Sequence, residues 1–556
     1  MTTPHTYITT TIPYVNARPH LGFALEIVQA DVLARFHRRQ GDQVRFQTGT
    51  DDNSLKNVLA AEAAGVPVQE FVDGNAEAFI ALREPLALAV DDVIRTSRDP
   101  RHRAGVERFW RACADDLYRR HYEGLYCVGC EQFYTPAELT GGRCPEHGTE
   151  PQRVAEENWF FRLSRYADRL HELISSGRLR IEPVERRNEV LGFIAGGLQD
   201  FSVSRSTARA RGWGIPVPGD PSQVIYVWWD ALGNYITALD YGTGGENHRR
   251  WWTGSDRRIH LVGKGVLRFH AVYWPAMLLS AGQPLPTDIV VHDYLTAGGR
   301  KISKSSGGTV DPAVLAGEYG TDVVRWWLLR EVPRVGDTDF TVDRLIARGN
   351  DELANGLGNL VNRVVAMVHR YRDGHVPAAG SETGTEAEAG TGAATGTGIG
   401  AEAEPGTEAK TGTGIGTDAP GSEGLRAACR QAPGLIHAAL TAFEFRRATA
   451  AVWAVVDEAN RYINHIRPWE LAKAERDGDF GAAAQLDAVL VVLVRACRVL
   501  GDQLTPFLPD TATRIARQCA VRDGKLPDPR PLFRRITAPE PGSTPPPQHD
   551  DIEFNR

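Results

Sequence analysis

Apolar positions along the first fifty residues switch between two periods. Residues 7 to 12, YITTTI, are β-branched and aromatic and are stopped by Pro13, which predicts a strand feeding a loop. Leu21, Leu25, Val28, Val32 and Phe36 then recur at helical spacing until Gly41, a natural stop. QVRFQ reads as a second strand. Strand, loop, helix and strand in this order are the grammar of an open parallel sheet, whose ligands bind beyond the carboxyl ends of the strands. The loop PYVNARPHLGF, residues 13 to 23, lies at such an end.

Strand and helix patterns return at SQVIYVWWDALGNYITAL and at RIHLVGKGVLRFHAVYWPAMLLSAG, so the sheet is predicted to resume after an inserted domain of different character. Residues 377–424 hold almost only Gly, Ala, Thr, Glu, Ser and Pro, with TGTGIG twice. Such a composition buries too little surface to order itself. Beyond it, Val452, Val455, Ala459, Ile463 and Ile466 predict one helix ending before Pro468, and Leu486, Leu490, Leu493, Cys497, Leu500 and Leu504 predict another. The carboxyl-terminal part reads as a helical bundle.

Composition narrows the class. A chain of 556 residues with 42% apolar residues has material for two or three cores. It shows no run of eighteen apolar residues, and MTTPHTYITTTIPYV lacks the regions of a signal peptide, so a soluble, cytoplasmic protein without membrane partners is expected. The net charge of −7 excludes a histone-like binder but leaves room for a local basic face. Seven cysteines, an odd number, do not suggest disulfides in a reducing compartment.

Three constellations carry chemistry. In CVGCEQFYTPAELTGGRCPEH, Cys127 and Cys130 form one short knuckle, and Cys144 and His147 form the other, with a Gly-Gly turn between them. Four soft or borderline ligands at this spacing suit a closed, structural Zn2+ site. In RKISKSS, Lys301 and Lys304 flank small hydroxyl residues, and mobile ammonium groups there can stabilise charge building up on a leaving pyrophosphate; the same run also suits a solvated loop. In PHLG, His20 and Gly22 at a helix start let the backbone approach a phosphate, favoured by the helix dipole. The last two, on two halves of one sheet, are specific as a pair.

These residues resemble the class I aminoacyl-tRNA synthetases, and most closely the methionyl-tRNA synthetases. HLGF falls at the HIGH signature and KISKS at KMSKS, and ADVLARFHRRQGD, TGTDDN, GLQDFSVSR, YVWWDALGNYITAL, FHAVYWPAML and RYINHIRPWELAK are further similar phrases. The resemblance runs from about residue 7 to 520, apart from the Gly/Ala/Thr-rich insertion. It implies an α/β fold: a Rossmann-type catalytic domain with a zinc-bearing connective insertion, plus a carboxyl-terminal α-helical anticodon-binding bundle. The domain map expected is 1–115, first catalytic half; 116–222, connective insertion; 223–320, second catalytic half with the lysine loop; 321–376, linking helices and the start of the bundle; 377–424, low-complexity insertion; 425–525, anticodon-binding helices; 526–556, polar Pro-rich tail.

The implied reaction activates methionine with ATP and Mg2+ and passes it to tRNA with a CAU anticodon, initiator or elongator; a monomer is expected, since PGSTPPPQHDDIEFNR does not read as a dimerising module. His20, Lys301 and Lys304 would be catalytic, and Gly22 and Ser303 would join them in holding ATP. Asp51 would hold the substrate ammonium with Arg205 near it. Ile12, Tyr14, Trp228, Tyr235, His270 and Trp274 would enclose a thioether, which packs well on aromatic edges. His270 and Trp274, on a shared helix face with residues 266, 273 and 277, also suit plain core positions. Asn359, Arg363 and Trp469 match the anticodon-reading positions, where an aromatic plane with amide and guanidinium donors reads single-stranded bases; Trp469 also suits a helix-end plug.

Three positions depart from the family pattern. Phe23 replaces the second histidine of HIGH, Gly265 stands where the family has Asp, and Asn53-Ser54 replaces His-Gly. A phenyl ring donates nothing to the α-phosphate, and losing one such donor costs about 10²- to 10³-fold in rate. A methionine–tRNA ligase with an altered nucleotide side is the first reading. The second is a paralogue that activates an amino acid for a small acceptor, as in hydrazine-forming natural-product pathways. A non-catalytic tRNA binder is the third, against which His20, Lys301 and Lys304 argue.

Overall fold

The structure, a computed structural model, describes residues 3–146, 148–302, 310–378 and 419–537, with Gln132, Arg300 and Lys301 described by backbone alone. Its centre is a six-stranded parallel sheet of β1 (His5–Thr10), β2 (Gln43–Thr50), β3 (Asp92–Arg95), β4 (Arg180–Glu182), β5 (Arg257–Gly263) and β6 (Asp288–His292), in the order β3-β2-β1-β5-β6-β4. The chain leaves β1 towards β2 and β3 on one side and returns at β5 on the other. The carboxyl ends of β1 and β5 therefore flank a topological switch point, where a crevice opens.

Helix α1 (Leu21–Arg39) follows β1 and is buried along most of its length, including Leu25, Val28, Val32 and Phe36 at the spacing read from the sequence. Its clustered basic end, His37 to Arg39, complements the helix dipole.

The insertion is built on a four-stranded antiparallel sheet in which Leu117–Cys127 pairs with Gln132–Tyr134 and with Gln152–Phe161, and the latter pairs with Phe201–Ser202. Two expectations are corrected here. Residues 180–182, inside the segment read as insertion, form β4 and extend the parallel sheet beside β6; one apolar residue between two charged ones carries no strand pattern. The SQVI strand, Asp220–Ile225, does not resume the parallel sheet but pairs with Ser204–Ser206 and Pro216–Val217 in a small sheet of its own. Alternation reports a strand but not its partner.

The bundle comprises Asn359–Arg372, Glu423–Thr441, Phe445–Ile466, Pro468–Arg476, Phe480–Gln503 and Pro509–Gln518. By length and composition Phe480–Gln503 is apolar enough to cross a membrane, yet it packs Leu486, Leu490, Leu493 and Leu500 fully into the bundle core. Part of the segment read as a polar tail also packs: Leu526 and Leu532 are buried, and Ile536 exchanges backbone hydrogen bonds with the Asn350 side chain. Apolar residues spaced among prolines and arginines dock a segment that shows no periodicity.

Candidate active site

A cleft of about 560 Å³ opens at the switch point, walled by Tyr14, His20, Glu26, Trp228, Lys264 and Tyr294 among others. His20 caps α1, its Nδ1 accepting the Gly22 N–H at 3.1 Å. A Cβ at position 22 would stand 3.0 Å from that ring, so the turn favours glycine. The Leu21 N–H donates to the Val310 carbonyl at 3.0 Å, which ties the start of α1 to the chain just past the lysine loop.

Glu26 and His292 span the back of the cleft. Glu26 Oε1 accepts from the Thr11 N–H and hydroxyl at 2.7 and 2.6 Å, and Oε2 lies 2.9 Å from His292 Nε2. His292 Nδ1 lies 2.9 Å from the Asp293 carbonyl, so the ring donates on both sides, which requires imidazolium. Burial alone would lower its pKa, but the hydrogen bond and charge of Glu26 and the Asp293 contacts raise it.

Phe23 is buried and lies against Phe79, facing the core while its edge reaches the cleft. Gly265 has a local reason to lack a side chain: a Cβ there would fall 2.0 Å from the Tyr294 hydroxyl. Lys264 sits 4.5 Å above the Tyr294 ring and 2.5 Å from Asp337 Oδ1.

The aromatic set is contiguous. Tyr14 meets Trp228 edge-on at 6.4 Å, and Trp228 stacks on Phe269 at 3.8 Å. Behind them Tyr235, His270 and Trp274 are almost wholly buried. His270 Nδ1 faces the Val266 carbonyl at 2.9 Å and so carries the proton, which leaves Nε2 to accept from the Tyr235 hydroxyl at 2.8 Å. The ring is neutral, its pKa lowered to about 4 by burial. Trp274 Nε1–H donates to His260 Nε2 at 3.2 Å. A wide π turn at Phe269–Tyr273 precedes the helix Trp274–Ser280, so position 270 and position 274 do not follow one regular α-helical face. Ile12 lies alongside Gly49 with partial exposure.

Asp51 is buried at the end of β2, its N–H donating to the Pro13 carbonyl at 2.9 Å. Burial, then the charges of Asp230, Glu131 and Asp52, push its pKa well above the usual carboxylate range, which primes it for a cation. Arg205 lines a small cavity together with Asn53 and Glu131. Its guanidinium lies 4.2 Å from the Tyr226 ring centre and 5.1 Å from that of Phe133, and donates to Ser202 Oγ and the Ser204 carbonyl.

The Asn53-Ser54 departure is wired into buried acids that sequence reasoning missed. Asn53 Nδ2 donates to Asp230 Oδ2 at 2.7 Å, and Asp230 also bonds His102. Ser54 caps the helix Leu55–Ala64 and donates to Glu131 Oε1 at 2.7 Å. Glu131, at φ 55°, directly follows Cys130; only that adjacency pointed to it.

Lys301 ends a hairpin of Leu295–Ala297 and Arg300–Lys301 whose turn uses Gly298 and Gly299 at φ 58° and 74°. Ser303 and Lys304 lie outside the described residues, as does His147. The sulfurs of Cys127, Cys130 and Cys144 come within 4.8 Å of one another, with Cys130 and Cys144 at 3.4 Å. Three converging thiols in a mostly buried pocket fit a Zn2+ ion.

On the bundle, Asn359 is exposed at the start of its helix, Arg363 lies one turn further, and Trp469 is 45% exposed. Arg372 links their two helices through Glu475 at 3.1 Å.

Family comparisons match this geometry. Residues 6–155 and 136–365 match the model of class I tRNA synthetases (M), and residues 417–544 match that of the anticodon binding domain of methionyl tRNA ligase. The chain belongs to the methionyl-tRNA synthetase family. A methionine–tRNA ligase of Caldanaerobacter subterraneus is 38% identical over 93% of this chain and 74% of its own length, and one of Brucella suis is 36% identical over 95% and 97%. The Mycobacterium tuberculosis methionyl-tRNA synthetase bound by methionyl-adenylate superimposes with a TM-score of 0.83 at 34% identity, covering 96% of this chain and all of that one. The methionyl-tRNA synthetase fold thus runs through both the cleft and the bundle.

Proposed function

We propose that this chain is a methionine–tRNA ligase: it activates methionine with ATP to the adenylate and transfers it to tRNA bearing a CAU anticodon. One observation carries the reading. The His20 cleft and an anticodon-binding bundle with an accessible Trp469 coexist on one family-matched chain.

In this reading the methionine carboxylate attacks the α-phosphate of ATP, pyrophosphate leaves, and a hydroxyl of the terminal adenosine then displaces AMP. His20 and Gly22 at the α1 start, with Ser303 and the ammonium groups of Lys301 and Lys304, hold the phosphates and stabilise the charge that develops. Asp51 takes the substrate ammonium, whose charge offsets the burial and neighbouring carboxylates that disfavour its ionised form. Ile12, Tyr14, Trp228, Tyr235, His270 and Trp274 receive the thioether. The neutral His270 and the Tyr235 hydroxyl offer weak polar contacts at no cost in buried charge. Arg205 acts from beside this site, near Asn53 and Glu131. Mg2+ accompanies ATP as counterion. A Zn2+ ion held by Cys127, Cys130, Cys144 and His147 fixes the knuckle structurally. Asn359, Arg363 and Trp469 read the anticodon.

The domain map of seven segments is kept as our proposal, with β4 assigned to the catalytic sheet and residues 526–537 to the bundle. We propose a cytoplasmic monomer, which sedimentation at assay concentration tests.

Phe23 favours one alternative, transfer to a small nucleophile instead of tRNA. Methionine-dependent ATP–pyrophosphate exchange across a panel of amino acids tests the activation step. Exchange restricted to methionine supports methionine activation, exchange with a different amino acid alone removes the ligase reading, and charging of CAU tRNA separates the ligase from the small-acceptor alternative.

A further inference from the structure

Helix α1 carries His20 at one end and meets the anticodon bundle at the other. Along about 28 Å of helix, 19 residues long, two of its charge contacts lead towards the bundle.

The first is buried. Asp31, halfway along α1, lies 2.8 Å from Arg325 Nη2, and both side chains are fully enclosed. Arg325 also donates from Nε to the Phe507 carbonyl at 2.8 Å, from Nη2 to the Pro506 carbonyl at 3.1 Å and from Nη1 to the Leu86 carbonyl at 2.9 Å. One planar guanidinium therefore joins α1, the loop after the helix Val68–Ile80 and the turn between the bundle helices Phe480–Gln503 and Pro509–Gln518. A lysine, with a point charge and no fork, does not reproduce that set.

The second is at the surface. Arg39, the last residue of α1, grips Asp502 in two parallel bonds, Nη1 to Oδ1 at 2.8 Å and Nη2 to Oδ2 at 2.7 Å, and reaches the Asp502 carbonyl at 2.6 Å. Between the two contacts the Phe36 ring packs on His437 of the bundle at 5.4 Å. At the far end of α1 the Leu21 N–H holds the Val310 carbonyl, directly after the lysine loop.

We propose that Arg325 and Asp502 are positioning residues for the reaction. Through α1 they tie the bundle to the cleft, a coupling that acts when cognate tRNA is seated on the bundle and then raises the rate of transfer. The proposal rests on the ligase reading above.

Asp502 is the cleaner test, since it is half-exposed and remote from the cleft. Pyrophosphate exchange without tRNA, and charging of CAU tRNA and of an anticodon-substituted tRNA, are measured for wild type, Asp502→Ala, Asp502→Glu and Arg325→Lys. Asp502→Ala should lower kcat for cognate charging about two- to fivefold, the range of a well-formed surface pair. KM for tRNA and exchange should hold, Asp502→Glu should recover the rate, and the defect should vanish with the substituted tRNA. Arg325→Lys should show the same split, more strongly. Wild-type charging by Asp502→Ala overturns the relay, as does a joint fall of exchange, charging and melting temperature. A wild-type protein that exchanges pyrophosphate but charges no tRNA overturns the ligase reading and the relay with it.

Discussion

The Phe23 ring meets Phe79 edge-to-face, with centroids 5.2 Å apart and planes at 77°. The residue in place of the second HIGH histidine is therefore held by the core. Phe23→His breaks this pair, at a cost of about 1 kcal/mol in stability, and returns a donor to the cleft. Adenylate formation should rise, by up to about 10²-fold, the lower end of what such donors supply. Exchange kinetics and thermal melting check both halves; an unchanged rate means that the cleft has been rebuilt around the phenyl ring.

The thiols of Cys127, Cys130 and Cys144 converge as a Zn2+ site requires. Cys144→Ala should take zinc from about one ion per chain to nearly none and lower the melting point of the insertion. Full metal content in the purified variant refutes the ligand set.

The His292–Glu26 pair gives a pH signature. Its folded pKa is raised above the ordinary value of about 6.5, so the stabilisation is complete below that value and is lost as pH rises through the folded one. His292→Gln should therefore destabilise more at pH 6 than at pH 8.5 in chemical denaturation. A gap that stays constant across this range means that the ring is not charged.

Trp469 is accessible and contributes little to the core. Trp469→Ala should raise KM for tRNA about five- to hundredfold, the worth of one stacked base, with stability within about 0.5 kcal/mol. A variant with unchanged tRNA affinity and a lower melting point is a helix plug instead.

Local chemistry made much of this molecule legible. The α1 start was readable because Pro19, His20 and Gly22 stand at the head of a clean apolar period, and the knuckle because Cys127 and Cys130 form a close pair with Cys144 shortly after. What depended on distant partners was not. β4 is three residues long and becomes a strand only by lying beside β6. The π turn at Phe269–Tyr273 breaks the phase that a regular helix predicts. Glu131, Asp230 and Arg325 gain their roles from contacts 77, 177 and 239 positions away in the chain, and no local pattern records such a pairing. The Gly265 departure acquired a reason only once the Tyr294 hydroxyl was seen to fill its side-chain space.

The most direct test of the ligase reading is methionine charging of tRNA with a CAU anticodon by the purified, zinc-loaded protein with ATP and Mg2+, beside the same tRNA with a substituted anticodon. The account predicts charging of the first and strong loss with the second. Methionine adenylate formation with no charging of either tRNA, and transfer to a small amine or hydroxylamine instead, would contradict it.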